Sequence, residues 1–186
     1  MHRSVFVAIT LTATALAAAG FATAAPPPDR VSVSAKFELY RPGARGITYD
    51  PQLVAVGAKA SVTAIARAEK TRVVLTVRGL VPNRKYGSHA HQKPCGQNAA
   101  DSGPHYQHVV DPVQPSVDPA YANPRNEIWL DFTTDEKGSA LASSTVDWKF
   151  TDRRAGSVVI HAEHTHTEPG HAGMAGPRLS CISVPF

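Results

Sequence analysis

The stretch Thr71-Arg72-Val73-Val74-Leu75-Thr76-Val77 is dominated by β-branched residues and reads as a strand. Runs of the same alternating or β-branched kind occur at Val31 to Leu39, Ala60 to Ala66, Glu127 to Thr134, Ala140 to Val146, Val158 to Glu163 and Leu179 to Val184. Turn chemistry separates them, at Arg41-Pro42-Gly43, Val81-Pro82-Asn83, Asp135-Glu136-Lys137-Gly138 and Arg154-Ala155-Gly156. No helical period of useful length appears after the first 24 residues. These elements predict an all-β fold, a Greek-key barrel or sandwich.

Two stretches break the rhythm. Lys93 to Asn126 carries six prolines and only scattered apolar side chains, a length that in a compact domain is functional or disordered. Cys95 and His105 within it favour the functional reading. His164 to Pro177 lies between a histidine-bearing strand and Arg178, so both loops are expected to meet at one end of the scaffold.

The charged His2-Arg3, the apolar run Val5 to Gly20 and the small residues Ala22-Thr23-Ala24 have the order of a signal peptide cleaved after about Ala24. The apolar run falls short of the roughly 20 residues of a membrane span and Pro26 to Pro28 would break a continued helix, so no transmembrane anchor is expected. The expected organisation is a signal peptide at 1–24, an N-terminal extension and first strand at 25–57, and the main domain at 58–186, with 29–186 forming one globular unit. The product would be secreted, extracellular or in the cell envelope. The chain has 19 Lys and Arg against 15 Asp and Glu, a net charge of +4. The basic residues are scattered along the sequence and the few aromatics do not alternate with them, which argues against a nucleic-acid partner. Two cysteines, Cys95 and Cys181, most simply make one disulfide in an exported protein; closing a loop of about 86 residues would stabilise by roughly 4–5 kcal/mol. Two metal thiolates are the alternative.

Four histidines stand in three separated segments, Gly87-Ser88-His89-Ala90-His91, Gly103-Pro104-His105-Tyr106 and Val158-Val159-Ile160-His161-Ala162. His89 and His91 are two apart on a predicted strand, so both project from one face and can chelate one ion. With His105 and His161 the set is four imidazoles without carboxylate or thiolate, which suits copper in both oxidation states as well as zinc.

Gly87-Ser88-His89-Ala90-His91, Cys95, Ser102-Gly103-Pro104-His105-Tyr106, Val159-Ile160-His161-Ala162 and Gly173 to Cys181 resemble, in that order, the copper/zinc superoxide dismutase family, from about Val62 to Val184. The resemblance implies an eight-stranded Greek-key β-barrel or sandwich with two long functional loops, and makes 58–186 the dismutase-like domain. It also implies a disulfide between Cys95 and Cys181, and copper held by His89, His91, His105 and His161. The implied activity is dismutation of superoxide to oxygen and hydrogen peroxide, an oxidant defence outside the cytoplasm. His105, whose counterpart in the family bridges copper to zinc and carries a proton, and Arg178, whose guanidinium would orient the superoxide anion, take the catalytic roles. A homodimer is a possible assembly.

The zinc half of the family pattern is not matched. His108 follows His105 at an unusually short spacing, and Arg125-Asn126-Glu127 stands where Gly-Asp is expected, which leaves His108, Asp111, Asp118 and Glu127 as zinc candidates outside the pattern. Glu163, His164, Thr165 and His166 stand where the family has an aspartate linking the two metal sites. The expectation is copper without zinc, or with a remodelled second site, and Glu127 or His108 as the new partner of the other His105 nitrogen. His164, His166 and His171 read as solvated loop residues, with a separate metal-loading patch as the alternative. The competing function is an exported copper-binding or copper-buffering protein on the same scaffold, without significant turnover. Arg178 favours the enzyme, because storage has no use for an anion-orienting guanidinium. Cupin and metallo-hydrolase motifs that also begin His-x-His fail at Pro94-Cys95-Gly96 and at Gln92-Lys93.

Overall fold

A computed structural model describes Met1 and residues 29–186, so the expected signal peptide lies outside the described residues save for Met1. Nine strands are formed: β1 (Arg30–Lys36), β2 (Gly46–Thr48), β3 (Lys59–Arg67), β4 (Lys70–Arg78), β5 (Lys85–His91), β6 (Phe132–Thr133), β7 (Ala140–Val146), β8 (Ser157–His161) and β9 (Arg178–Ser183). They make a four-stranded sheet in the order β1-β3-β4-β7 and a five-stranded sheet in the order β2-β9-β8-β5-β6. Every ladder between them is antiparallel. The non-sequential neighbours β4–β7 and β5–β8 are the crossovers a Greek-key chain requires. The all-β expectation holds as a two-sheet sandwich. The ladders stay separate and do not close into a barrel, and the short β2 and β6 bring the count to nine where eight were expected.

Residue alternation explains the layering. On β3, Ala60, Val62 and Ala64 are buried while Lys59, Ile65 and Arg67 are exposed; on β4, Val73, Leu75 and Val77 turn inward against exposed Arg72 and Arg78. From the opposing sheet, Tyr86, Ala90, Val158, Ile160 and Ile182 enter the same core. Each fully buried Leu, Ile or Val there contributes roughly 1.5–3 kcal/mol relative to exposure.

The stretch Glu127 to Thr134 is extended, with Ile128, Leu130 and Phe132 buried in alternation, yet only Phe132–Thr133 forms a ladder strand. Leu130 N donates to the Ser88 carbonyl (2.7 Å), but Ser88 N donates to the Asp131 carboxylate (3.0 Å) and not to a backbone partner. A side chain thus takes a ladder donor, and the period-2 signal survives where the regular pairing does not.

Because Tyr86 and Ala90 face the core, His89 and His91 face outward from the five-stranded sheet, as do Gly87 and its cross-strand partner His161. All three histidines are nonetheless buried, since loop residues cover this face. Gly87 permits that cover: a Cβ there would lie 2.7 Å from the Ala175 Cβ and would also strike the Glu163 carbonyl. A disulfide joins Cys95 at the start of the first loop to buried Cys181 on β9, as expected. The short 3-10 helix Ala99–Ser102 follows it.

Candidate metal centre

Each of the four imidazoles has one nitrogen tied to a protein acceptor, and this decides what the other nitrogen can do. His91 Nδ1 donates to the Gly103 carbonyl (2.8 Å) and His161 Nδ1 to the Gly176 carbonyl (3.2 Å), so both Nε2 atoms carry lone pairs. These two Nε2 atoms face each other at 3.3 Å. Two lone pairs so placed repel unless a cation lies between them, which is the arrangement of a metal site.

His105 Nδ1 is 2.8 Å from Glu127 Oε2, and a carboxylate only accepts, so His105 also presents a free Nε2. His89 is oriented the other way. Thr165 donates its hydroxyl to Asp131 Oδ1 (2.8 Å) and accepts from His89 Nε2 (2.6 Å), which leaves His89 Nδ1 as a buried atom with no partner. A buried polar atom without a partner costs free energy, and an ion would satisfy it. The four ligand atoms lie within 4.8 Å of one another, and they form the only such group of metal-binding side chains among the described residues. The donor set therefore fits a metal ion, and the four histidines can hold one.

Burial keeps the rings of His89, His91 and His161 uncharged. Desolvation, then the neighbouring His105, pushes His89 and His91 well below the ordinary histidine value, and the same two causes bring His161 down to about 3. The positive charge of Arg178 acts in the same direction on all three. Arg178 is cross-strand to His161 at a register shift in β9 and is half-buried. Its Nη1 donates to the Ala99 carbonyl and to Ser102 Oγ, both at 3.0 Å. Arg178, His105 and His161 line one cleft of ≈ 370 Å³, together with Glu127, Gln107 and Met174. The sequence-predicted ligands and the arginine are thus brought to one place.

The zinc candidates are not brought together. His108 is exposed and lies flat on Trp148, with ring centroids 4.9 Å apart at an interplanar angle of 3°. The Asp111 carboxylate organises its own loop, accepting from Val113 N (2.8 Å) and Ser116 Oγ (2.7 Å), and Asp118 accepts from Ala120 N (2.8 Å). Glu127 is buried and holds three donors: His105 Nδ1, Trp129 Nε1 (2.7 Å) and Gln107 Nε2 (2.8 Å). Of the two residues expected to partner the outer His105 nitrogen, Glu127 does so and His108 does not. His166 bonds Glu168 (2.7 Å), and this hydrogen bond, more than the Glu168 charge, raises its pKa. His164, His166 and His171 do not converge on a common ion position.

Sequence reasoning missed Asp131, Trp129 and Gln107, and saw Thr165 only as a replacement for an absent aspartate. No local pattern marks Asp131, which lies 34 residues from Thr165 and acts on His89 through it.

The fold is that of the copper/zinc superoxide dismutases, here carrying four histidines able to hold a metal ion. Among solved structures, the copper/zinc superoxide dismutase from Brucella abortus matches over 82% of this chain and 98% of its own, with a TM-score of 0.55 and 16% identity. A double mutant of a superoxide dismutase-like protein from Bacillus subtilis matches over 67% and 87%, with a TM-score of 0.51 and 14% identity. The clock protein EA4 matches over 84% and 94%, with a TM-score of 0.54 and 16% identity. No family model and no curated protein matches the sequence.

Proposed function

We propose that this chain is an exported, copper-dependent superoxide dismutase that works without zinc beside its copper. The observation that carries this reading is the convergence of four imidazole lone pairs, with the outer nitrogen of His105 already engaged by Glu127. His89 through Nδ1, and His91, His105 and His161 through Nε2, would hold the ion. Bound copper supplies the one-electron chemistry by which two superoxide anions and two protons become oxygen and hydrogen peroxide. Nitrogen ligands without thiolate or carboxylate suit both copper oxidation states.

The surrounding residues have separable tasks. Arg178 is anchored through Nη1 to the short helix, and its remaining donors can bind and orient a small anion in the cleft it shares with His161. Glu127 fixes the His105 tautomer by accepting from Nδ1, so that Nε2 is the atom turned toward the metal position and the cleft. The N-terminal sequence pattern and the Cys95–Cys181 disulfide support a place outside the cytoplasm.

Two of the structural neighbours described above are not named as dismutases, and a shared fold does not set an activity. Superoxide consumption by copper-loaded protein therefore decides between turnover and copper buffering. Wild type should exceed Arg178→Ala at least tenfold at equal copper content and slow as salt is raised, while His161→Ala should lose both copper and activity. Wild type no faster than Arg178→Ala would leave the buffering reading standing. One zinc retained per chain after dialysis would sink the copper-only part.

A further inference from the structure

None of the strand residues on the outer face of the four-stranded sheet is acidic. Lys36, Lys59 and Arg78 stand side by side at one end of it, on β1, β3 and β4. Like charges directly opposite one another destabilise a sheet, and no acid among the described residues pairs with any of the three. The next outward row is Ser34, Ser61 and Thr76, and these hydroxyls and the three cations line a cleft of ≈ 440 Å³. Ser32 and Thr63 follow, in contact at 3.1 Å. At the far end lie exposed Arg30, Arg67 and Arg72, also without an acidic partner among the described residues, whereas neighbouring Lys70 is neutralised by Asp147 (2.6 Å). Lys36 and Arg30 are six positions apart on β1, so the two basic ends are about 20 Å apart with hydroxyl groups between them. Basic residues that look scattered in the sequence are gathered here by strand register.

We propose that this face binds a linear anionic polysaccharide running along the strands, its acidic groups on the two basic ends and its sugar hydroxyls on the serine and threonine rows. The complementarity is of charge at both ends and of hydrogen bonding between. Nucleic acid suits the face less well: it has no aromatic side chain on which a base could stack and no projecting element to enter a groove. A lipid surface also suits it less well, since its apolar side chains are only Ile65, Val74 and Leu141, spread among hydroxyls. The metal-binding histidines occupy the outer face of the other sheet, so a tethered molecule keeps that cleft turned away from the polymer. The proposal is independent of whether the metal centre turns over.

The test is calorimetric titration of the full copper-loaded protein with heparin as a linear sulfated glycan, with polygalacturonate as a carboxylated one and neutral dextran as control. Wild type should bind both anionic polymers, more weakly as salt rises, and not dextran. Lys36→Ser/Lys59→Ser/Arg78→Ser should weaken binding at least tenfold and flatten the salt dependence, and Arg30→Ser/Arg72→Ser should weaken it from the other end. The same charge removed elsewhere, Lys85→Ser/Lys93→Ser/Lys137→Ser, should leave affinity within twofold. Thermal midpoint and copper content verify the fold of each variant; should the triple change unfold the protein, Lys59→Gln alone is expected to weaken binding severalfold. The proposal is overturned if neither polymer binds, if the control variant loses as much as the face variants, or if duplex DNA or phosphatidylglycerol vesicles bind at least as tightly as the glycans.

Discussion

Replacing Glu127 by Gln tests how His105 is held. The carboxylate is 1% exposed and accepts from His105 Nδ1 (2.8 Å), Trp129 Nε1 (2.7 Å) and Gln107 Nε2 (2.8 Å). A glutamine of nearly the same volume keeps one carbonyl oxygen for the first two donors. Its amide must then face the Gln107 amide, donor against donor. Gln107 cannot flip without loss, because its own carbonyl oxygen accepts from Asp111 N (2.9 Å). One buried hydrogen bond is broken, at about 1–3 kcal/mol of folding stability, and a charge-assisted bond to His105 becomes a neutral one. Loss of such a partner typically weakens a metal site 10–100-fold, about 1.4–2.7 kcal/mol of binding. Copper affinity should be measured by competition with a chelator of known strength, beside a urea titration of the metal-free protein. The expected result is weaker copper by at least tenfold, with a lower urea midpoint. Unchanged copper affinity in a folded Glu127→Gln protein would refute the idea that the charge of this carboxylate strengthens the hold of His105 on the ion.

Thr165→Val removes the hydroxyl between His89 and Asp131 and leaves the buried His89 Nε2–H without an acceptor, so copper affinity should fall about 10–100-fold in the same competition assay. Metal-free protein should lose stability as pH falls below about 6.5: His161, held down to about 3 by burial, binds its proton only after unfolding, so the unfolded state holds more protons and is favoured by acid. His161 alone gives about 2 kcal/mol between pH 7.5 and pH 5, and His89 and His91 act in the same sense; an unchanged urea midpoint over that window would contradict it. The Cys95→Ser/Cys181→Ser protein should be about 2–5 kcal/mol less stable and should be cut faster by trypsin at Arg125, because Cys95 ties the first loop to β9.

Much of the scaffold was legible locally. The run Ala140 to Val146 is β7 as read, and Thr71 to Val77 lies within β4, because a strand buried on one face repeats every two residues in any sequence that forms it. His89 and His91 share a face for the same reason. Glu127 to Thr134 was legible as extended chain but not as interrupted pairing, since nothing local announces that the Asp131 side chain takes the Ser88 amide. Three-residue β2 carries too little pattern to be read at all.

By itself, then, the sequence determined most of the strands, the two long loops and which four histidines could share an ion, because strand period and turn chemistry act over a few residues. Only the tertiary structure decided which nitrogen of each ring is free. That choice belongs to acceptors arriving from elsewhere in the chain: the Gly103 and Gly176 carbonyls, Glu127, and Asp131 acting through Thr165. It also decided that Lys36, Lys59 and Arg78 stand together, because cross-strand register is set by packing between segments and leaves no trace in the local order of residues.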